Sequence, residues 1–283
     1  MNDDALAWVE ATIGPLAGVR ELRGGWTSTM LALTGEDGAE HVLRLMTNEP
    51  WRTHGAALTT REREVQLMLG ATPVPAPVSI ALDATAEHCG VAAHLMTLVP
   101  GEVDTGRVDD ASLGVLADEL ATIHAVEPTA EVRDYESWAW EAKYVVPPWA
   151  RDRRLWADAF ALLRTDPPSY DAVLIHRDFQ HRNVLWLGDR VSGVVDWVET
   201  SRGPAWLDVA HGCTNIALRH GPARAQAFAD AYVARTGAVP QPYFDVMDVV
   251  GFLPPPGRAP FITDPADLAR LEDWLRSRVL MLR

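Results

Sequence analysis

The sequence predicts an α+β fold in two lobes: a small β-rich lobe first, then a larger helical lobe that contains a β-hairpin. Three observations lead there. The first hundred residues read as short β-type runs and turn signals around one helical insert. From about residue 110 onward, apolar residues recur at steps of three and four. A compact island of strand-like runs at 173–195 interrupts those helices, unlike the regular βαβ alternation of a parallel sheet. The boundary falls near 97–101, giving an N-terminal lobe over 1–97 and a C-terminal lobe over 98–283.

Residues 29–34 and 41–46 form short strands around the turn signal Gly35-Glu36-Asp37-Gly38. Residues 58–69 switch to helical spacing, with Leu58, Val65, Met68 and Leu69 apolar and Arg61, Glu62 and Arg63 polar; Gly70 suits the helix end. Pro73, Pro75 and Pro77 impose an extended connector. Val78–Leu82 and Val91–Met96 are two further strands. In 111–126, Leu113, Leu116, Leu120 and Ile123 make one apolar helix face. Residues 222–236 and 266–281 are similar, with Pro222 near a start and Gly237 after an end. Between these helices lie the strands Val173–Ile175, Val184–Leu187 and Val191–Val195, the last two joined by Gly188-Asp189-Arg190.

Composition excludes several classes. With 48% hydrophobic and 23% charged residues, the 283-residue chain has ample apolar content for a real core and is not a disordered sequence. A net charge of −14 makes it a poor partner for nucleic acid or an anionic membrane surface and favours cationic ligands. Cys89 and Cys213 have neither disulfide-framework nor metal-ligand spacing. The start MNDDALAWVE lacks the basic and apolar runs of a signal peptide, and no apolar stretch reaches the roughly 18–20 residues of a membrane span, so a soluble cytoplasmic protein is expected. Lys143 is the only lysine.

The segment that carries chemistry is Ile175-His176-Arg177-Asp178-Phe179-Gln180-His181-Arg182-Asn183-Val184. A strand delivers His176 and Asp178 onto a loop, and Asn183 begins the next strand. Asp196, in Val194-Val195-Asp196-Trp197, lies at the far end of the hairpin, which turns the chain back toward Asn183. One carboxylate plus one amide oxygen suits Mg²⁺, a hard cation that completes its shell with phosphates and water. Asp178 is then placed to accept a proton from a substrate hydroxyl. His181 and Arg182 read as solvated loop residues.

These residues resemble the protein-kinase-like superfamily, and within it the aminoglycoside phosphotransferase family of small-molecule kinases. The family's His-x-Asp-x-x-x-x-Asn loop is met by His176, Asp178 and Asn183, and its Asp-Trp metal motif by Asp196-Trp197. The resemblance runs from about residue 20 to 215 and implies a protein-kinase-like bilobal fold with the nucleotide between the lobes. It makes Asp178 the catalytic base and Asn183 and Asp196 the Mg²⁺ ligands. His176 and Asp208 become structural residues at the site, Asp208 anchoring the catalytic loop, and His124 a structural hydrogen-bonding residue.

In the N-terminal lobe, Gly24, Gly25, Thr27 and Ser28 lie where a nucleotide-covering loop would sit; read alone, they make an ordinary hairpin turn. Arg44 stands where the family normally has a phosphate-contacting lysine. Matching Arg63-Glu64-Val65-Gln66-Leu67 to the family's helix selects Glu64 over Glu62 as the partner of Arg44. Met96 would lie behind the adenine, with the Thr97 carbonyl and Val99 amide bonding it.

For the acceptor, Trp138 and Trp140, among the aromatics of 132–170, could wall a sugar face or an organic cation, or simply be core. Glu199 could reach a cationic acceptor, and Phe252-Leu253-Pro254-Pro255-Pro256-Gly257 could rim the pocket or merely connect two helices. The resemblance implies transfer of the γ-phosphoryl group of ATP or GTP to a hydroxyl of a small molecule, first an aminoglycoside-like or other antibiotic or natural-product acceptor. Kinases of a metabolic amino alcohol or sugar, and a nucleotide-binding regulatory module without transfer activity, are the alternatives. Nucleotide and a small molecule are the expected partners, with no nucleic acid and no membrane, in a monomer or homodimer.

Overall fold

The computed structural model describes residues 3–22, 27–129 and 131–282. The chain forms two compact units. The first runs up to Glu102 and also takes in Leu185–Leu187 and Ser192–Thr200; the second comprises Val103–Val184, Gly188–Val191 and the chain from Ser201 onward.

The first unit is built on an antiparallel five-stranded sheet of β1 (Leu16–Leu22), β2 (Thr29–Gly35), β3 (Glu40–Leu45), β4 (Ser79–Asp83) and β5 (Ala93–Thr97), in the order β1-β2-β3-β5-β4. Side chains alternate across it. Leu31, Leu33, Leu43, Leu45 and Leu95 form one apolar cluster with Ala5 and Val9 of a helix, α1 (Asp3–Ile13). The strand-rich reading of this region does not anticipate α1. It is held by burial of two residues four apart, with Asp3 and Asp4 complementing the positive end of its dipole. Arg44, one step along β3 from Leu43, points to the opposite face, where α2 (Gly55–Leu69) presents Glu62. The proline connector hydrogen-bonds to the hairpin segment of the same unit, from the Val194 amide to the Pro75 carbonyl at 2.7 Å. Gly101, at φ +124°, lies so close to that segment that a Cβ would meet the Trp186 carbonyl oxygen at 2.7 Å.

The second unit is helical: α3 (Asp110–His124), α4 (Arg153–Leu163), α5 (Ala205–His220), α6 (Pro222–Thr236), α7 (Pro242–Gly251) and α8 (Pro265–Leu280). Three of these match the helices expected from spacing. α4, α5 and α7 do not appear in that expectation. α5 is buried on nearly all sides, from Trp206 to Leu218, against α6, α7 and α8, so its polar residues Asp208, His211 and Thr214 lie in the interior rather than on a solvent face. A two-stranded antiparallel ribbon, β7 (Ala172–Ile175) with β10 (Ser201–Pro204), pairs Ile175 with Ser201 and leads directly into α5. The remaining strands, β6 (Glu102–Val103), β8 (Val184–Leu187) and β9 (Arg190–Val194), form a sheet in the order β6-β8-β9. Among the described residues no helix is long and apolar enough to cross a membrane.

Candidate active site

In the second unit, the loop after β7 is clamped from below by Asp208 in the first turn of α5. The fully buried Asp208 carboxylate accepts the His176 amide on Oδ2 and the Arg177 amide on Oδ1, both at 2.7 Å. His124 Nε2 adds a third contact at 3.2 Å. Burial pushes the Asp208 carboxyl up, but the hydrogen bond and charge of His124, with help from His176, hold it below the usual carboxylate range. Arg177 adopts the left-handed φ of 75°, and its guanidinium stacks 3.8 Å over the Trp138 ring.

This clamp sets the backbone that presents Asp178. The Asp178 amide donates to His176 Nδ1 at 3.2 Å, so His176 serves the loop as an acceptor rather than facing substrate. On the Asp178 side chain, Oδ1 accepts from Gln180 Nε2 at 2.7 Å and pairs with His211 Nε2 at 2.8 Å, while Oδ2 accepts from Asn183 Nδ2 at 2.9 Å. The side chain is 23% exposed. Burial raises its affinity for a proton, yet the bond and charge of His211, then His176 and Gln180, outweigh that and keep the carboxyl below its ordinary range. An ionised, oriented and partly exposed carboxylate can take a proton from a hydroxyl.

His211, three residues after Asp208 on α5, is a site residue that the motifs do not reveal. It is buried, and its other nitrogen, Nδ1, lies 3.0 Å from Asp248 Oδ1 on α7. Burial opposes its charge, but Asp248 and Asp178 together lift it to about 10. The signal available in the sequence is the three-residue step from Asp208, which places both side chains on one side of a helix. His181 departs from the expected solvated loop residue. It is buried, and desolvation, with the neighbouring charges of His220 and Arg182, pushes it down to about 4. Arg182 is exposed, as expected.

In the first unit, Arg44 is buried and grips two carboxylates. Its Nη2 donates to Glu62 Oε1 at 3.1 Å and to Asp196 Oδ1 at 3.0 Å, and its Nε lies 3.1 Å from Glu62 Oε2. The expected partner, Glu64, is corrected to Glu62. Glu62 shares the buried face of α2 with Leu58, Val65, Gln66 and Leu69, whereas Glu64, two positions on, lies across the helix in solvent. Glu62 Oε2 also lies 3.0 Å from His94 Nδ1. Burial would raise the Glu62 carboxyl, but Arg44, and then His94, keep it below the usual range. The same two carboxylates raise Arg44 despite its desolvation.

Asp196 has φ 70° and a side chain 30% exposed, followed by a 3₁₀ turn over Trp197–Glu199 in which Glu199 is half-buried. Met96 is buried, its sulfur accepting from Gln66 Nε2 at 3.4 Å. Thr97 is tied to the neighbouring Val78, its amide to the Val78 carbonyl and its Oγ1 to the Val78 amide, both at 2.9 Å. Val99 is half-buried, and its side chain fills the space beside Gly193. Thr27 is half-buried and Ser28 buried, while Gly24 and Gly25 lie outside the described residues. Trp138 is half-buried; Trp140 is exposed, with Lys143 Nζ 4.5 Å over its ring.

Each of the two expected metal ligands, taken by itself, offers an oxygen of the kind a hard cation prefers. In the second unit Asn183 commits its amide nitrogen to the Asp178 carbonyl and carboxylate, which leaves its amide oxygen as a donor; in the first unit Asp196 offers a carboxylate, one oxygen of which accepts from Arg44. Among the described residues no cluster of three or more His, Cys, Asp or Glu is arranged to hold a metal.

Residues 18–244 match the phosphotransferase enzyme family. No curated protein matches the chain. Among solved structures the chain is similar to the aminoglycoside phosphotransferase APH(4)-Ia, at 16% identity over 98% of this chain and 99% of that one, with a TM-score of 0.70. A thermostable mutant of that enzyme, in ternary complex with ADP and hygromycin B, aligns at 19% identity over 96% and 97% of the two chains, with a TM-score of 0.66. The macrolide 2′-phosphotransferase MphH from Brachybacterium faecium aligns at 18% identity over 98% and 96%, with a TM-score of 0.64. At these identities the likeness is one of fold: the expected α+β fold with a β-sheet unit and a helical unit, of the aminoglycoside phosphotransferase type.

Proposed function

The chain belongs to the phosphotransferase enzyme family, and from that premise we propose that it transfers the γ-phosphoryl group of ATP or GTP to a hydroxyl of a small molecule. The observation that carries this reading is Asp178. Three side-chain donors orient its carboxylate, and the backbone beneath it is clamped by Asp208. In the proposed reaction Asp178 accepts a hydrogen bond from the acceptor hydroxyl, aims its oxygen at the γ-phosphorus and takes the proton as the new P–O bond forms and the bond to the departing nucleoside diphosphate breaks. Asn183 and Asp196 would hold Mg²⁺, which supplies neutralisation of phosphate charge. Arg44 keeps a cation on the first unit's sheet, fixed by Glu62. Little of this is covalent chemistry by the protein; it is positioning and electrostatic stabilisation.

The acceptor is an antibiotic-like or related natural-product hydroxyl compound. Two considerations support that class: the similar structures include one complexed with hygromycin B and a macrolide phosphotransferase, and the net charge of −14 favours a cationic acceptor. A second reading is nucleotide binding without transfer. It is favoured by Arg44 in place of the lysine that the family's motif carries, and by its engagement with two carboxylates.

A phosphotransfer screen tests both. Purified protein, Mg²⁺ and ATP or GTP are offered hygromycin B, other aminoglycosides, macrolides, amino alcohols and sugars. Phosphorylated product with the native protein and at least a hundredfold less with Asp178→Ala is the expected result. Nucleotide binding without product across the panel would replace transfer by the regulatory reading. Equal product from Asp178→Ala would remove Asp178 from its role.

A further inference from the structure

His211 belongs to none of the motifs that point to phosphoryl transfer, yet it makes the shortest contact between Asp178 and the helical core. Its imidazole lies between two carboxylates, with Nε2 2.8 Å from Asp178 Oδ1 and Nδ1 3.0 Å from Asp248 Oδ1. Carboxylate oxygens only accept, so satisfying both contacts requires a proton on each ring nitrogen, while Asn215 Nδ2, also 3.1 Å from Nε2, donates to the His211 carbonyl at 3.0 Å. The ring cannot easily turn away. Phe252 stacks on it at 5.6 Å between centroids, and Trp138 packs edge-on at 5.4 Å. Trp138 is itself fixed, because a Cβ on Gly251 would lie 3.2 Å from its Cβ and the Arg177 guanidinium covers its ring. Segments remote in sequence (α5, the end of α7 and the stretch around residue 138) therefore converge on one side chain whose Nε2 edge holds Asp178.

We infer that His211 is a positioning residue for phosphoryl transfer: anchored on Asp248, its imidazolium grips Asp178 Oδ1 and holds the carboxylate ionised and aimed at the acceptor hydroxyl. This rests on Asp178 being the base. The charged groups around the ring are Asp178 on the loop, Asp248 on α7, and Arg177, whose Nη1 is 3.9 Å from Asp248 Oδ1. His181 is also within electrostatic reach but is held neutral by burial. Two carboxylates in hydrogen-bond contact outweigh the one neighbouring cation, in keeping with an imidazole lifted to about 10. A cation beside Asp178 weakens it as a base. That loss is tolerable in a loose phosphoryl-transfer transition state, where orientation of the nucleophile counts for more than basicity. It also prevents Asp178 from arriving already protonated, in which state it could accept no proton.

The test combines a spectroscopic signature with a kinetic cycle. Nitrogen-15 spectra of the native protein at pH 8 should show the His211 ring carrying protons on both nitrogens, and this signature should vanish in Asp248→Asn, which keeps an oxygen but removes the charge. With Mg²⁺ and ATP, and with water or an acceptor from the screen as nucleophile, His211→Asn and Asp248→Asn should each lower kcat roughly tenfold to a hundredfold, the scale of a misplaced reacting group. KM for ATP should stay within about twofold. Because His211 acts through Asp178, adding His211→Asn to Asp178→Asn should lower the rate no further. A singly protonated His211 in the native protein, full kcat in a folded His211→Asn, or an equal loss in the Asp178→Asn background would overturn the inference. Full turnover in Asp178→Asn alone would instead remove the base assignment, and the nitrogen spectra separate these failures because they do not depend on turnover.

Discussion

At the scale of single residues, burial decides which of two neighbouring glutamates matters. Glu62 is fully buried against Arg44, which is itself only 5% exposed. Removing its charge leaves a guanidinium in the interior with one carboxylate fewer, and breaking a buried pair in this way typically costs about 3–5 kcal/mol. Glu62→Gln is therefore expected to lose about that much stability in urea unfolding. Glu64→Gln, in solvent on the other side of α2, should change it by less than about 0.5 kcal/mol. Similar losses in the two variants would mean that the buried fork does not stabilise the first unit. The helix phase was legible: Leu58, Val65 and Leu69 mark the buried face, and position 62 lies on it. Matching a motif by its neighbours rather than by that phase is what selects Glu64.

At the scale of elements, α5 is the piece on which the site is hung. Its first turn supplies Asp208 to the loop backbone and its next turn supplies His211 to Asp178. Asp208→Asn keeps one acceptor oxygen where two amides need one each, so either His176 or Arg177 loses its partner. A lost hydrogen bond to a charged group corresponds to roughly 1.5–3 kcal/mol. Thermal unfolding should show that loss, and turnover should fall at least tenfold as the loop carrying Asp178 relaxes. Native-level turnover in a folded Asp208→Asn would show that the loop holds its shape without this clamp. The loop and its hairpin could be read from local spacing. The pattern of α5 does not single it out as a surface helix, because Asp208, His211 and Thr214 are buried along with its apolar residues.

At the scale of the whole molecule, several buried groups push the pH dependence of stability one way. Burial raises the carboxyls of Asp245, which Arg278 partly opposes, and Glu119 to about 7, against ordinary values near 4. The folded chain therefore holds more protons than the unfolded one between about pH 4 and 7, and stability falls as pH rises through that window. His211, lifted to about 10, contributes stability that is full below about pH 6.5 and lost towards 10. Lys143, lowered by burial to about 8, offsets part of this at higher pH. In the opposite direction, His181, pushed down to about 4, costs stability as pH falls below about 6.5, and Glu62, Asp178 and Asp208, all held below the usual carboxylate range, contribute stability that disappears as pH falls through their folded values. The two raised carboxyls and His211 outweigh His181 between about pH 5.5 and 8.5. The melting temperature at pH 5.5 should thus exceed that at pH 8.5 and decline again below about pH 4. A melting temperature that rises from 5.5 to 8.5 would show that these buried groups do not govern the balance.

The sequence by itself determined the α+β class, most strands and four of the helices, and the loop that holds His176, Asp178 and Asn183. All of these rest on periodicity or spacing within a few turns of chain, where local geometry sets the outcome. Only the tertiary structure decided that Arg44 pairs with Glu62 and Asp196, that Trp138 lies under Arg177, and that His211 joins Asp178 to Asp248. These partners are far apart in sequence, from 18 residues for Arg44 and Glu62 to 152 residues for Arg44 and Asp196. Their meeting depends on packing between distant elements, which no local pattern of residue types encodes even where, as on α2, the helix phase itself is legible.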